Sequence, residues 1–112
     1  MTTETYEIRL SSRYALDHLD TSTIPGTHVD SNGRGELMRF TLGELHELWS
    51  RADYYADPHY GRELAESGYA DLHRSAKKVI EQIDRAGLTE VARSPESAEA
   101  YKREWDAAMA GR

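Results

Sequence analysis

The stretch His28-Val29-Asp30-Ser31-Asn32-Gly33-Arg34-Gly35-Glu36-Leu37-Met38-Arg39-Phe40-Thr41-Leu42-Gly43-Glu44 decides the fold. Near its middle stands Asn32-Gly33, the dipeptide most able to adopt the positive φ angles of a two-residue hairpin connection. Residues 28–30 and 36–40 flank it as the two strands. Thr41-Leu42-Gly43-Glu44 follows at once and reads as a capping box, in which the threonine hydroxyl and the glutamate carboxylate each satisfy an orphan amide of a starting helix. A hairpin that runs straight into a capped helix implies a sheet with a helical layer on it.

Towards the N-terminus, residues 5–10 alternate. Tyr6, Ile8 and Leu10 point one way and Glu7 and Arg9 the other, the pattern of a half-buried strand. One strand and one hairpin give about three strands, near the minimum that is stable when helices cover one face. Between them, Ser11 or Ser12 can cap a short helix through Tyr14, Leu16 and Leu19. A strand over residues 13–19 is the alternative, and periodicity does not choose. Ile24-Pro25-Gly26 is a turn.

Towards the C-terminus, Leu42, Leu45, Leu48, Trp49, Ala52, Tyr55 and Ala56 form one helical stripe, ended by Asp57-Pro58. Residues 58–68 read as a loop, with a turn of helix at 62–66. Leu72, Ala76, Val79, Ile80 and Ile83 then give a second stripe over residues 69–86, with Gly87 as its left-handed cap. Residues 89–93 read as a connector. Ser94-Pro95-Glu96 opens a third helix with a cap, a proline at the first position and an acid at the positive end of the dipole. Its expected stripe is Ala98, Tyr101, Trp105, Ala108 and Met109.

Composition bounds the rest. The 112 residues make one domain, residues 1–112. Leu, Ile, Val and Phe together number only 18, so tyrosine, tryptophan and alanine must supply part of the core. The absence of cysteine excludes disulfides and thiolate metal sites and fits a reducing, cytoplasmic setting. The opening residues carry no basic and apolar leader pattern, and no apolar run approaches the length of a membrane span. The net charge is −6. The acidity lies mostly before residue 61, which disfavours general nucleic-acid binding and suits a basic protein partner.

The order Tyr6-Glu7-Ile8-Arg9-Leu10, Ser12-Arg13 with Asp17-His18, a hairpin, then Thr41, Glu44-Leu45, Leu48 and Ala52-Asp53-Tyr54-Tyr55-Ala56-Asp57 resembles short uncharacterised proteins of actinobacteria and their tailed phages. The resemblance covers about residues 5–86. It implies a fold and a phage origin, and no residue roles.

Four constellations could carry chemistry. His46, Ser50, Asp53 and Asp57 share one flank of the first long helix. Their spread over about 16 Å is too long for one ion, so the flank reads as solvated and a small metal-assisted hydrolase is the least supported reading. Serines 11, 12 and 22 near Asp17 and His18 lack a nucleophile elbow, and Gly33-Arg34-Gly35 lacks the continuation of a dinucleotide loop. Arg74, Lys77, Lys78 and Arg85 form a basic face on the 70–86 helix. Glu81 stands where it can pair with Lys77 and Arg85, and a DNA-associated regulator using this face is the alternative reading.

The aromatic and acidic surface of Tyr54, Tyr60, Tyr69, Asp53 and Asp57 is the expected partner-binding site, since Tyr54 falls opposite its helix's core stripe and tyrosine is enriched at interface hot spots. Tyr101 and Trp105 are the expected seam of a two-fold homodimer. The chain is therefore read as an α+β domain, a small antiparallel sheet of about three strands with two or three amphipathic helices on one face. The expected function is a non-catalytic protein-interaction module that needs no cofactor and acts on a protein partner.

Overall fold

Strands β2 (Thr27–Asn32) and β3 (Gly35–Thr41) of the computed structural model form the antiparallel hairpin, with its connection one residue further on than expected. Gly33-Arg34, rather than Asn32-Gly33, joins the paired residues Asn32 and Gly35, and the positive φ of +124° falls on Gly35. The Asn32 side chain accounts for the shift. Its Oδ1 accepts the Arg34 amide at 2.7 Å, the side-chain turn that asparagine favours, and the glycine after it takes the left-handed angle. The structure describes residues 4–10, 26–59 and 70–111. The helix-or-strand alternative at 13–19, the helical turn at 62–66, Tyr60 and Tyr69 lie outside them.

Strand β1 (Thr5–Leu10) pairs antiparallel with β3, so the sheet runs β1-β3-β2. In this register Tyr6 opposes Phe40 and Ile8 opposes Met38, which puts Ile8, Leu10, Met38 and Phe40 on one buried face. The other face carries the ion pairs Arg39–Glu7 at 2.9 Å and Arg9–Asp30 at 3.9 Å. The register shifts between His28 and Asp30, leaving Val29 without a partner and exposed.

Helix α1 (Leu42–Ala56) begins at the predicted box: Thr41 Oγ1 accepts the Glu44 amide at 3.1 Å and Glu44 Oε1 accepts the Thr41 amide at 2.9 Å. The second carboxylate oxygen of Glu44 accepts the Gly26 amide at 2.9 Å and so ties the start of the hairpin to the helix. Leu45, Leu48 and Ala52 are fully buried, with Trp49, Tyr55 and Ala56 packed at the margin. Asp57 turns extended ahead of Pro58, as a residue before proline does, and the helix stops.

Helix α2 (Ala70–Arg85) buries Ala76, Val79 and Ile83 completely. Its end is a Schellman motif: Gly87 at φ +74° donates to Asp84 O at 2.9 Å, and Leu88 donates to Ile83 O at 3.1 Å. The expected connector at 89–93 is itself a one-turn helix, α3 (Thr89–Arg93). Helix α4 (Pro95–Ala110) starts as read, with the Ser94 hydroxyl accepting the Ser97 amide at 3.1 Å. The described residues thus hold three long helices and one short one, and Pro58 and His59, expected in a loop, are also helical. Helix α1 lies between α2 and α4; α1 and α2 cover β1 and β3, and α4 packs on α1. No helix among the described residues is long and apolar enough to cross a membrane.

The α1–α4 crossing rests on a glycine. Gly43 is buried, and a Cβ there would lie 2.8 Å from Tyr101 Cα and run into the Glu104 carboxylate. The carboxylate can swing away, but the backbone of α4 cannot. Gly43→Ala should therefore cost about 1–3 kcal/mol as an overpacking change, although alanine favours a helix by about 1 kcal/mol. Gly33, with open space around it, should tolerate alanine within about 0.5 kcal/mol. Urea unfolding of the two variants checks this; equal midpoints would place the crossing elsewhere.

Candidate functional site

The last turns of α1 gather the aromatic and acidic residues expected to bind a partner. Tyr54 stands opposite the buried stripe and is 56% exposed, with its ring edge-on to Tyr55 at 5.2 Å and 82°. Ser50, Asp53, Tyr54, Asp57 and His59 line one shallow groove of about 410 Å³. Asp57 Oδ1 accepts the His59 amide at 2.8 Å, which holds the chain beyond α1 against the groove. Asp53, Tyr54 and Asp57 are therefore brought together as read. The groove has one aromatic wall and two carboxylates, the chemistry that receives a cationic side chain.

His46 corrects the expectation of a solvated flank. It is half-buried, and its Nδ1 lies 3.0 Å from Ala92 O and 3.2 Å from Ser97 Oγ. A carbonyl only accepts, so in this bond Nδ1 carries the proton. Nε2 then faces Ser50 Oγ at 3.4 Å. Ser97 Oγ is also 2.8 Å from Ala92 O, and the Tyr101 ring is tilted against the imidazole at 5.8 Å. His46 thus joins α1 to α3 and α4, sharing with the Ser97 hydroxyl a carbonyl at the end of α3 that has no partner within that helix. His46→Ala should cost about 0.5–1.5 kcal/mol, the net value of one hydrogen bond, because the Ser97 hydroxyl remains on the carbonyl. Thermal unfolding measures it, and an unchanged midpoint would return His46 to the solvated flank. His73 does the same between α2 and α1, with its Nδ1 2.7 Å from Tyr55 O.

The expected dimer seam is split. Tyr101 is half-buried in the contact just described, whereas Trp105 is 55% and Met109 46% exposed. Ser97 and Ala100, rather than Ala98, Trp105 and Ala108, form the packed face of α4. Glu104 sets that phase. Its Oε2 accepts the Gly43 amide at 2.9 Å, and its Oε1 accepts the Thr41 hydroxyl. A carboxylate at the positive end of α1 is favourable. The signal legible in sequence was Gly43, a glycine in the first turn of a helix where any larger residue would serve propensity better.

Elsewhere, Arg74, Lys77, Lys78 and Arg85 are all exposed on α2, as read. The pairing of Glu81 with Lys77 and Arg85 is absent: among the described residues, Lys77, Lys78 and Arg85 have no carboxylate within 4.0 Å. At the edge of β1, burial and then a hydrogen bond to Glu4 at 3.0 Å push the Tyr6 phenol above its usual value. No three His, Asp or Glu side chains among the described residues are grouped to hold a metal ion. No protein-family model, curated protein or solved structure matches this chain.

Proposed function

We propose that this chain is a non-catalytic protein-interaction module that captures a cationic segment of a protein partner in the groove at the end of α1. The observation that supports it most is the convergence of exposed Tyr54 with Asp53 and Asp57 on one concave surface. Tyrosine supplies a large contact area at low entropic cost, and the two carboxylates supply charge-assisted acceptors for lysine or arginine. The resemblance of residues 5–86 to short proteins of actinobacteria and tailed phages adds a bacterial host protein as the class of partner.

The test places a photo-crosslinking benzoylphenylalanine at position 54 in one protein and at Glu99, exposed on α4, in another. Crosslinking to a single basic protein from position 54 only, suppressed by Asp53→Lys, is the expected result. Equal capture from both positions, or capture indifferent to Asp53→Lys, would overturn the reading.

Lys77, Lys78 and Arg85, exposed on α2 with no carboxylate within 4.0 Å among the described residues, favour a second reading, a DNA-associated regulator. A linear fall in log affinity for duplex DNA with log salt, lost on replacing Lys77, Lys78 and Arg85 by glutamine, would establish it in place of the first.

A further inference from the structure

One flank of α4, beside the concavity where Trp105 meets Thr41, Gly43, Glu44 and Glu47, carries two of the exposed large hydrophobic residues among the described residues, Trp105 and Met109. Counting about 100° per residue, Ala98, Lys102, Trp105 and Met109 fall within about 60° of one another. All four are exposed, and they lie at i, i+4, i+7 and i+11, the spacing of a coiled-coil seam. Helix α4 stands at the border of the helical layer, with α1 and the short α3 on its inner side. Its 16 residues reach about 24 Å.

We infer that this stripe pairs with its own copy in an antiparallel, two-fold homodimer. The stripe is complementary to itself in that direction alone. An antiparallel match centred between Arg103 and Glu104 sets Lys102 against Trp105 of the second copy, and Ala98 against Met109. Each seam position then meets an unlike partner: a cation on an indole face, twice, and a small residue under a large one, twice. The same match brings Asp106 of one copy beside Lys102 of the other. A parallel match would press Lys102 on Lys102 and Trp105 on Trp105, stacking like charges at the middle of the seam. An isologous contact requires this kind of self-complementarity.

The stripe is also short. Four seam residues per copy bury less than the 1,200 Å² or so of a standard interface, so the dimer forms and dissociates with concentration. This face is separate from the Tyr54 groove, and the two proposals fail independently.

Sedimentation equilibrium over a hundredfold concentration range should show the mass rise from 12.7 kDa towards twice that value. Trp105→Ala and Lys102→Glu should each weaken association at least about tenfold, with helical circular dichroism unchanged because both side chains are exposed. The chain has no cysteine, so introduced thiols report orientation cleanly. Ala98→Cys with Met109→Cys in one chain should give a covalent dimer on mild oxidation, and neither single substitution should. A mass fixed at 12.7 kDa, a dimer that survives Trp105→Ala, or crosslinking of the Ala98→Cys single variant would each overturn the inference.

Discussion

Replacing Phe40 by alanine should destabilise the protein by about 3–5 kcal/mol, the range for a buried phenylalanine. Phe40 is fully buried and is the only phenylalanine in the chain. It opposes Tyr6 across the β1–β3 ladder and lies one residue before the Thr41 cap, so its ring fills the corner where the sheet turns into α1. A Cβ placed on Gly26 would come within 2.6 Å of that ring, which shows how closely the start of the hairpin is drawn over it. Removing the ring leaves a cavity that this corner cannot close, because the Glu44 carboxylate pins Gly26 and Thr41 on either side. Domains of this size hold about 5–15 kcal/mol in total, so the variant should lose a large fraction of its stability. Phe40→Leu keeps part of the volume and should cost clearly less. Urea unfolding followed by circular dichroism decides it. A Phe40→Ala cost below about 1 kcal/mol would mean that the sheet–helix corner is not where the core is anchored.

The elements whose signals are local were legible in the sequence. The alternation of residues 5–10, the box at Thr41 and Glu44, the left-handed stop at Gly87 and the cap at Ser94 all depend on residues within one turn or one strand, and all are present. The hairpin slipped by one because Asn32-Gly33-Arg34-Gly35 offers two glycines for one left-handed position, and the Asn32 side-chain bond chooses between them. The face of α4 was not legible. Alanines at 98, 100, 107 and 108 spread around that helix, so periodicity does not single out the packed side. The choice falls to Glu104, whose partners Thr41 and Gly43 lie about sixty residues away in sequence. His46 and Ser97 were obscured for the same reason, since polar residues that meet across three helices look like surface in each helix alone. At the candidate site, Asp53, Tyr54 and Asp57 share one short segment, so sequence placed them together.

The phase of α2 carries the second large expected effect. Ile83→Ala should cost about 2–5 kcal/mol, and Lys78→Ala less than about 0.5 kcal/mol. Ile83 is fully buried with Val79 and Ala76 in the cluster that also holds Leu45, Leu48 and Ile8, so its truncation opens a hole facing both α1 and the sheet. Lys78 stands five residues earlier, about 140° around the helix, and is exposed. The cost of Ile83→Ala should rest on cavity formation alone, because the helix propensity of alanine exceeds that of isoleucine and works against the loss. Ile83→Val, which removes one methylene, should accordingly fall near 1 kcal/mol. The comparison also bears on function. The four cations of α2 are exposed only because Ile83, Val79 and Ala76 turn the opposite side inward. Equal costs for Ile83→Ala and Lys78→Ala would rotate the helix, bury part of the basic face and remove the ground for a nucleic-acid reading together with this account of the core.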